Sequence, residues 1–297
     1  MIRDRKRPLV AAAIATLLCC AVTDAQQQTI RTTTQGVVIG ASVVASGRPV
    51  RGLHANDFVI RDNGVLQQAQ LLDGTQPLDL SLWMDDSGSV ADPSRMWREA
   101  SEVAARLREG DRVEITAFTA RIREVMALTP VPVSLPPAPA ALFSRSFSLT
   151  KVFDAVTASL MRPGIPGRRH VAAVFTDGGE GFSITAPDQI GMVAATSDVT
   201  LFIAMTSMAS SPYRVSDRAR DAVRQALGRA VNITGGAIVS AKNAVDSFRD
   251  LLAKLDEQYV LGYTPEGVAP GGWHEIKVEL KNPNGATVSA RRGYFGG

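Results

Sequence analysis

The chain has 297 residues, 45% of them hydrophobic and 21% charged, which places it among globular proteins able to bury a sizeable core. Its formal net charge of +3 comes mostly from the first 25 residues, since beyond them 28 Lys and Arg face 27 Asp and Glu. No Lys/Arg run remains there, which excludes the concentrated basic surface that nucleic acid or an anionic membrane would require.

Arg3, Arg5, Lys6 and Arg7 precede an apolar stretch over residues 9–22, followed by Thr23-Asp24-Ala25 and the polar run Gln26-Gln27-Gln28. A charged start, a short apolar centre and a small residue before a polar segment describe a secretory signal peptide over residues 1–25, cut after Ala25. The apolar run is short for a membrane span, so the expectation is a secreted or periplasmic chain with no span after cleavage. Both cysteines, Cys19 and Cys20, lie in this segment. The mature chain then has no thiol, which suits an oxidising compartment.

Residues 28–77 read as an N-terminal β module. Val37-Val38-Ile39 and Val43-Val44 are β-branched, and Asn63-Gly64 between two strand-like runs is a hairpin signal, because both residues tolerate the positive φ of a type I′ turn. Residues 78–257 alternate apolar strands with helical stretches, the pattern of an α/β sheet with crossover helices. Strands are expected at 78–84, 112–118, 123–128, 170–175, 200–205 and 237–240, and helices at 93–108, 151–161, 186–195, 216–230 and 244–255. Thr234-Gly235-Gly236 has the composition of a left-handed helix cap. Residues 129–148 are rich in Pro and Ala and read as a surface excursion. From residue 258 to 297 the β pattern returns, with Asn284-Gly285 expected to close a second hairpin. Two short β pieces are each marginal alone. They are expected to pair into one small β-sandwich with the α/β domain inserted between them.

The strand at 78–84 gives way abruptly to Asp85-Asp86-Ser87-Gly88-Ser89. In an open, mainly parallel sheet, ligands bind just beyond the carboxyl ends of strands. Thr150 opens a helix and Asp177 ends another strand, so two carboxylates and three hydroxyls come from three strand-end or helix-start segments. Such oxygens suit a hard cation. Taken singly, Ser87 and Ser89 are ordinary helix caps and Asp177 an ordinary turn residue.

Together the five positions decide otherwise. At Asp85-Asp86-Ser87-Gly88-Ser89, at Thr150 within Thr150-Lys151-Val152-Phe153-Asp154-Ala155, and at Asp177 within Phe175-Thr176-Asp177-Gly178, the chain resembles the von Willebrand factor A family. That family's metal-ion-dependent adhesion site, or MIDAS, reads Asp-x-Ser-x-Ser, then a distant Thr, then a distant Asp. The resemblance covers about residues 78–257, and the flanks resemble secreted von Willebrand A-related proteins of acidobacteria.

It implies a Rossmann-like domain whose Ser87, Ser89 and Thr150 contact Mg2+ (or Mn2+ or Ca2+) directly. Asp85 and Asp177 act directly or through water, and an open position accepts a carboxylate from a partner protein. Asp86 and Asp154 are expected to support the site and Glu180 to be solvated. The sequence departs from the family at Ser148-Leu149, where glycines are common before the Thr. The function implied is a non-enzymatic, adhesion-type binding module; the alternative is a structural component of an envelope assembly whose metal only stabilises the fold.

Enzyme readings have less support. The Asp-x-Asp of haloacid dehalogenase-type phosphotransfer is absent because position 87 is Ser, and secretion argues against a response-regulator receiver. His54, His170 and His274 show no metal or nucleophile spacing, and no Gly-x-Ser-x-Gly turn occurs. Asn232-Ile233-Thr234 matches a glycosylation acceptor, a weak three-residue signal.

Overall fold

A computed structural model describes residues 36–72, 76–87, 93–131, 150–165, 167–205, 217–240 and 244–296. The expected signal peptide, Ser89 and most of the Pro/Ala-rich stretch lie outside these residues. The chain begins with strands β1 (Val37–Ala45), β2 (Arg48–Pro49), β3 (Phe58–Asp62), β4 (Val65–Gln67) and β5 (Gln70–Leu72). Next come β6 (Leu78–Asp85), α1 (Pro93–Arg106), β7 (Arg112–Phe118), β8 (Ile122–Pro130), α2 (Val152–Leu160), β9 (Arg169–Thr176), α3 (Pro187–Ala195), β10 (Thr200–Met205), α4 (Asp217–Thr234), β11 (Ile238–Ser240) and α5 (Ala244–Asp256). The chain closes with β12 (Tyr259–Tyr263), β13 (Gly272–Leu280), β14 (Ala286–Ala290) and β15 (Gly293–Gly296).

The terminal segments build one sandwich, as their patterning leads one to expect. One sheet runs β14-β1-β12-β5 with β2 beside β1, and the other runs β15-β13-β3-β4. Strand β1 pairs antiparallel with both β12 and β14, so Ile39, Ala41 and Val43 turn inward onto Phe58, Ile60, Leu261 and Ile276. In the same interior the Asp62 carboxylate accepts hydrogen bonds from the hydroxyls of Tyr263 (2.8 Å) and Tyr294 (2.9 Å), and His274 Nδ1 lies 2.8 Å from its other oxygen. A buried carboxylate requires such partners, and His274 is thereby a structural residue.

The two Asn-Gly turns have different outcomes. Asn63 and Gly64 both take positive φ and close the hairpin of β3 with β4. Asn284 and Gly285 also take positive φ, but β13 pairs with β3 while β14 pairs with β1. The second turn is therefore a corner between the two sheets and not a hairpin. Strand β15, which pairs with β13, carries no alternation that the sequence reading singles out.

The α/β sheet has the order β11-β10-β9-β6-β7-β8. All its pairings are parallel except β7 with β8. Period-2 alternation divides each central strand between two cores. Leu80, Leu82, Val171, Ala173 and Phe175 face α1 and α5, whereas Trp83, Ala172, Val174, Leu201 and Ile203 face α2, α3 and α4. Strand β6 is buried along its whole length, as a central parallel strand covered on both faces must be. No helix among the described residues is long and apolar enough to cross a membrane.

At the strand starts, Asp79 accepts hydrogen bonds from Arg112 Nε (2.8 Å) and Arg168 Nε (2.7 Å). Burial pushes its carboxyl up, but the two guanidiniums outweigh this and hold it below the usual range. His170 bridges this cluster to Asp198 at 3.1 Å, and Arg291, from the sandwich, donates to Asp198 O (3.1 Å) and to Val38 O (3.0 Å). The described residues fall within one compact unit. Helix α4 ends in a Schellman-type cap, in which Gly235 takes φ +77° and Gly236 N donates to Val231 O at 3.1 Å. Thr234 is buried there, with its hydroxyl donating to Ala230 O, so the Asn232 acceptor motif lies in a folded helix end.

Candidate functional site

Strands β6 and β9 are neighbours in the sheet, so their carboxyl ends place Asp85 and Asp177 side by side. Thr176, the last residue of β9, donates its hydroxyl to Asp85 Oδ2 at 2.7 Å, and Ser87 N donates to Asp85 Oδ1 at 3.0 Å. Gly179 N donates to Asp177 Oδ1 at 2.8 Å. The second oxygen, Asp177 Oδ2, is buried without a hydrogen-bond partner. Asp85 is 1% exposed and Asp177 4% exposed. Burial first, and then the adjacent Asp177 carboxylate, push Asp85 up to about 7, against the pull of its bonds to Ser87 and Thr176.

Thr150 is buried just before α2 and is drawn in through its backbone. Its carbonyl accepts from Gly181 N at 2.8 Å, and the neighbouring Lys151 N donates to Thr119 O at 3.1 Å. Asp86 N donates to Phe118 O at 3.0 Å and so continues the pairing of β6 with β7 past the end of the strand. The Asp86 carboxylate lies 3.4 Å from Arg123 of β8. Burial, only partly offset by Arg123, pushes it up to about 6. The segments after β6 and β9 and before α2 thus converge on one spot, bringing Asp85, Ser87, Thr150 and Asp177 to the same end of the sheet.

The loop after Asp177 is held by two acidic side chains. Asp154, in the first turn of α2, accepts from Ile184 N (3.1 Å) and Thr185 N (2.8 Å). Burial would raise its carboxyl, but these amides outweigh it and hold it below the usual range. Glu180 accepts from Phe153 N (3.0 Å), an otherwise orphaned amide at the start of α2, and from Ser183 N (3.0 Å) and Oγ (2.9 Å). This corrects the expectation that Glu180 is solvated: the helix end lies beside the loop, and its amides need an acceptor. The clasp displays Phe182 and Ile184, which are 77% and 87% exposed, with Phe182 at φ +69°. Neither residue was legible as part of the site, and Thr176 was missed because a single Thr at a strand end carries no motif.

Two buried carboxylates side by side, one with an oxygen left unbonded, favour a positive charge between them. Among the described residues no three His, Cys, Asp or Glu gather into a cage. The oxygen set of two carboxylates with hydroxyls instead fits a hard divalent cation that keeps part of its water.

No family model matches the chain, and no curated protein does. Among solved structures, it is similar to the ArnB paralog VWA2 from Sulfolobus acidocaldarius at 11% identity, over 85% of this chain and 74% of that one, with a TM-score of 0.47. A von Willebrand factor type A protein from Catenulispora acidiphila matches at 13% identity, over 89% of this chain and 75% of that one, with a TM-score of 0.46. Proximal thread matrix protein 1 from the mussel byssus, in a structure with a zinc-occupied MIDAS motif, matches at 11% identity over 61% and 48%, with a TM-score of 0.42.

Proposed function

We propose that the chain is a secreted or periplasmic, non-enzymatic binding protein of the von Willebrand A type. It holds a divalent cation, Mg2+ or else Mn2+ or Ca2+, at Asp85, Ser87, Ser89, Thr150 and Asp177, and through it engages an acidic residue of a partner protein. The observation that carries this reading is the unbonded, buried Oδ2 of Asp177 beside the buried carboxylate of Asp85. Such a pair is costly in a protein that has no use for a cation there.

When bound, the cation supplies a fixed positive charge whose shell a partner carboxylate can complete. The chain's own part is positional. Thr176 and Ser87 N fix the Asp85 carboxylate, Gly179 N fixes one oxygen of Asp177, and the Asp154 and Glu180 clasp holds the neighbouring loop against α2. Phe182 and Ile184 on that loop give the partner an apolar edge to rest on.

Calorimetric titration with Mg2+ after chelator treatment tests the cation. Wild type should take up one equivalent, and Asp177→Asn should bind at least tenfold more weakly; equal heats would sink the site. Capture from envelope extracts, with and without chelator, then separates a bridging cation from one that only stabilises the fold, since only the former makes capture chelator-sensitive.

A further inference from the structure

At the opposite end of the α/β sheet, where the strands begin, a cavity of about 640 Å3 opens between that domain and the sandwich. Its volume is within the range of small-molecule sites. The walls are apolar where α5 and the sandwich meet, with Leu72, Leu252, Leu255 and Val260, while Leu71 stands at its exposed edge. The charged lining comprises Arg106, Arg108 and Arg169 against Asp111 and Asp256, an excess of one positive charge.

Arg169, the first residue of β9, is less exposed than Arg106 and Arg108, so fewer of its donors can turn to water. A guanidinium has five N–H donors. Arg169 makes one side-chain hydrogen bond, from Nη2 to Gln258 Oε1 at 3.1 Å, and among the described residues no carboxylate forms an ion pair with it. Asp111 does not supply the missing contact. Its Oδ1 accepts from Leu78 N and its Oδ2 from Arg108 N, both at 2.8 Å, so it is committed to the turn before β7. Gln258 is itself fixed, since its Nε2 donates to Ser42 Oγ (3.3 Å) and Gly235 O (3.4 Å), leaving Oε1 toward the guanidinium. Burial lowers the affinity of Arg169 for its proton, and the distant Asp111 and Asp256 charges only partly offset this.

We propose that this cavity is a binding site for an aliphatic monocarboxylate, with the carboxylate on the free donors of Arg169 and the chain along Leu72, Leu252 and Leu255. The guanidinium fork matches a carboxylate in two parallel bonds, which a neutral head cannot reproduce. The apolar wall selects an acyl chain over a small anion. The site is separate from the cation centre, at the other end of the same strands.

Titration with octanoate, in chelator so that no cation contributes, tests the assignment against acetate and octan-1-ol. Octanoate should bind saturably, with acetate and octanol each at least tenfold weaker. Arg169→Gln should weaken octanoate at least tenfold. Because Arg169→Gln can disturb the seam, Leu71→Asp is the second variant: it places a repelling carboxylate at an exposed rim position and should also weaken octanoate at least tenfold with an unchanged unfolding midpoint. Octanol binding as tightly as octanoate, or octanoate binding equally to wild type and a folded Leu71→Asp, would overturn the proposal.

Discussion

Phe182 is held in the left-handed region of backbone space, where a bulky side chain is strained by about 1–3 kcal/mol. The strain persists because Glu180 and Asp154 fix the loop on both sides of it. Its ring is exposed, so little packing would be lost on substitution. Phe182→Asn, which tolerates this conformation, is therefore expected to stabilise the protein by about 1 kcal/mol, a rise in Tm of about 2–4 °C by calorimetry. The same variant should weaken chelator-sensitive capture if the ring meets the partner, a trade of stability against binding. At this scale the site was legible only in part. Asp85, Ser87 and Asp177 announce themselves by an acid or hydroxyl at the end of an apolar run. Thr176, Glu180 and Phe182 do not, because their roles come from a neighbouring strand or helix that no local pattern names.

The elements were more legible than the residues, and the reason is periodicity. Strands β7 and β10 and the starts of α1 and α5 fall where the apolar spacing puts them. Strand β9 gains Arg169 and Thr176 at its ends, whose polar side chains hide their strand pairing. The Asn284-Gly285 turn was misassigned for a similar cause: turn chemistry sets the local reversal, and only the partners of β13 and β14 decide whether the reversal stays within one sheet. Helix α4 runs to Thr234 and not to residue 230, since Thr234 bonds back to Ala230 and Val231 and accepts from Leu201 N. Gly236, just beyond, has no room for a side chain, because a Cβ there would meet Leu201 O at 1.8 Å. Gly236→Ala should cost about 2–3 kcal/mol by forcing β11 off β10, measured as a lower denaturant midpoint with an unchanged m-value.

Across the whole molecule, stability in acid should depend on the charged seam between the α/β domain and the sandwich. Asp79 is held below the usual carboxylate range by Arg112 and Arg168 despite burial, and Asp198 likewise by His170 and Arg291. A carboxyl whose folded pKa lies below its unfolded value of about 3.9 contributes stability that is present above that value. The contribution is lost as pH falls through the lower folded value. Denaturant midpoints measured from pH 6 down to pH 2 should thus fall below pH 4, and Asp79→Asn should start lower at pH 6 and fall less. The sandwich, for its part, joins segments far apart in the chain. Asp62 finds its hydrogen-bond partners 201, 212 and 232 residues later, at Tyr263, His274 and Tyr294. At translation rates of about 5–20 residues per second, that carboxylate and the flanking edges of β1 wait roughly 10–40 s for their complements to be made. A chain interrupted before residue 259 would leave those β-branched edges open to pairing with one another. Protection of β1 from aggregation thus waits on the synthesis of β12 and β14, its partners more than 200 residues downstream.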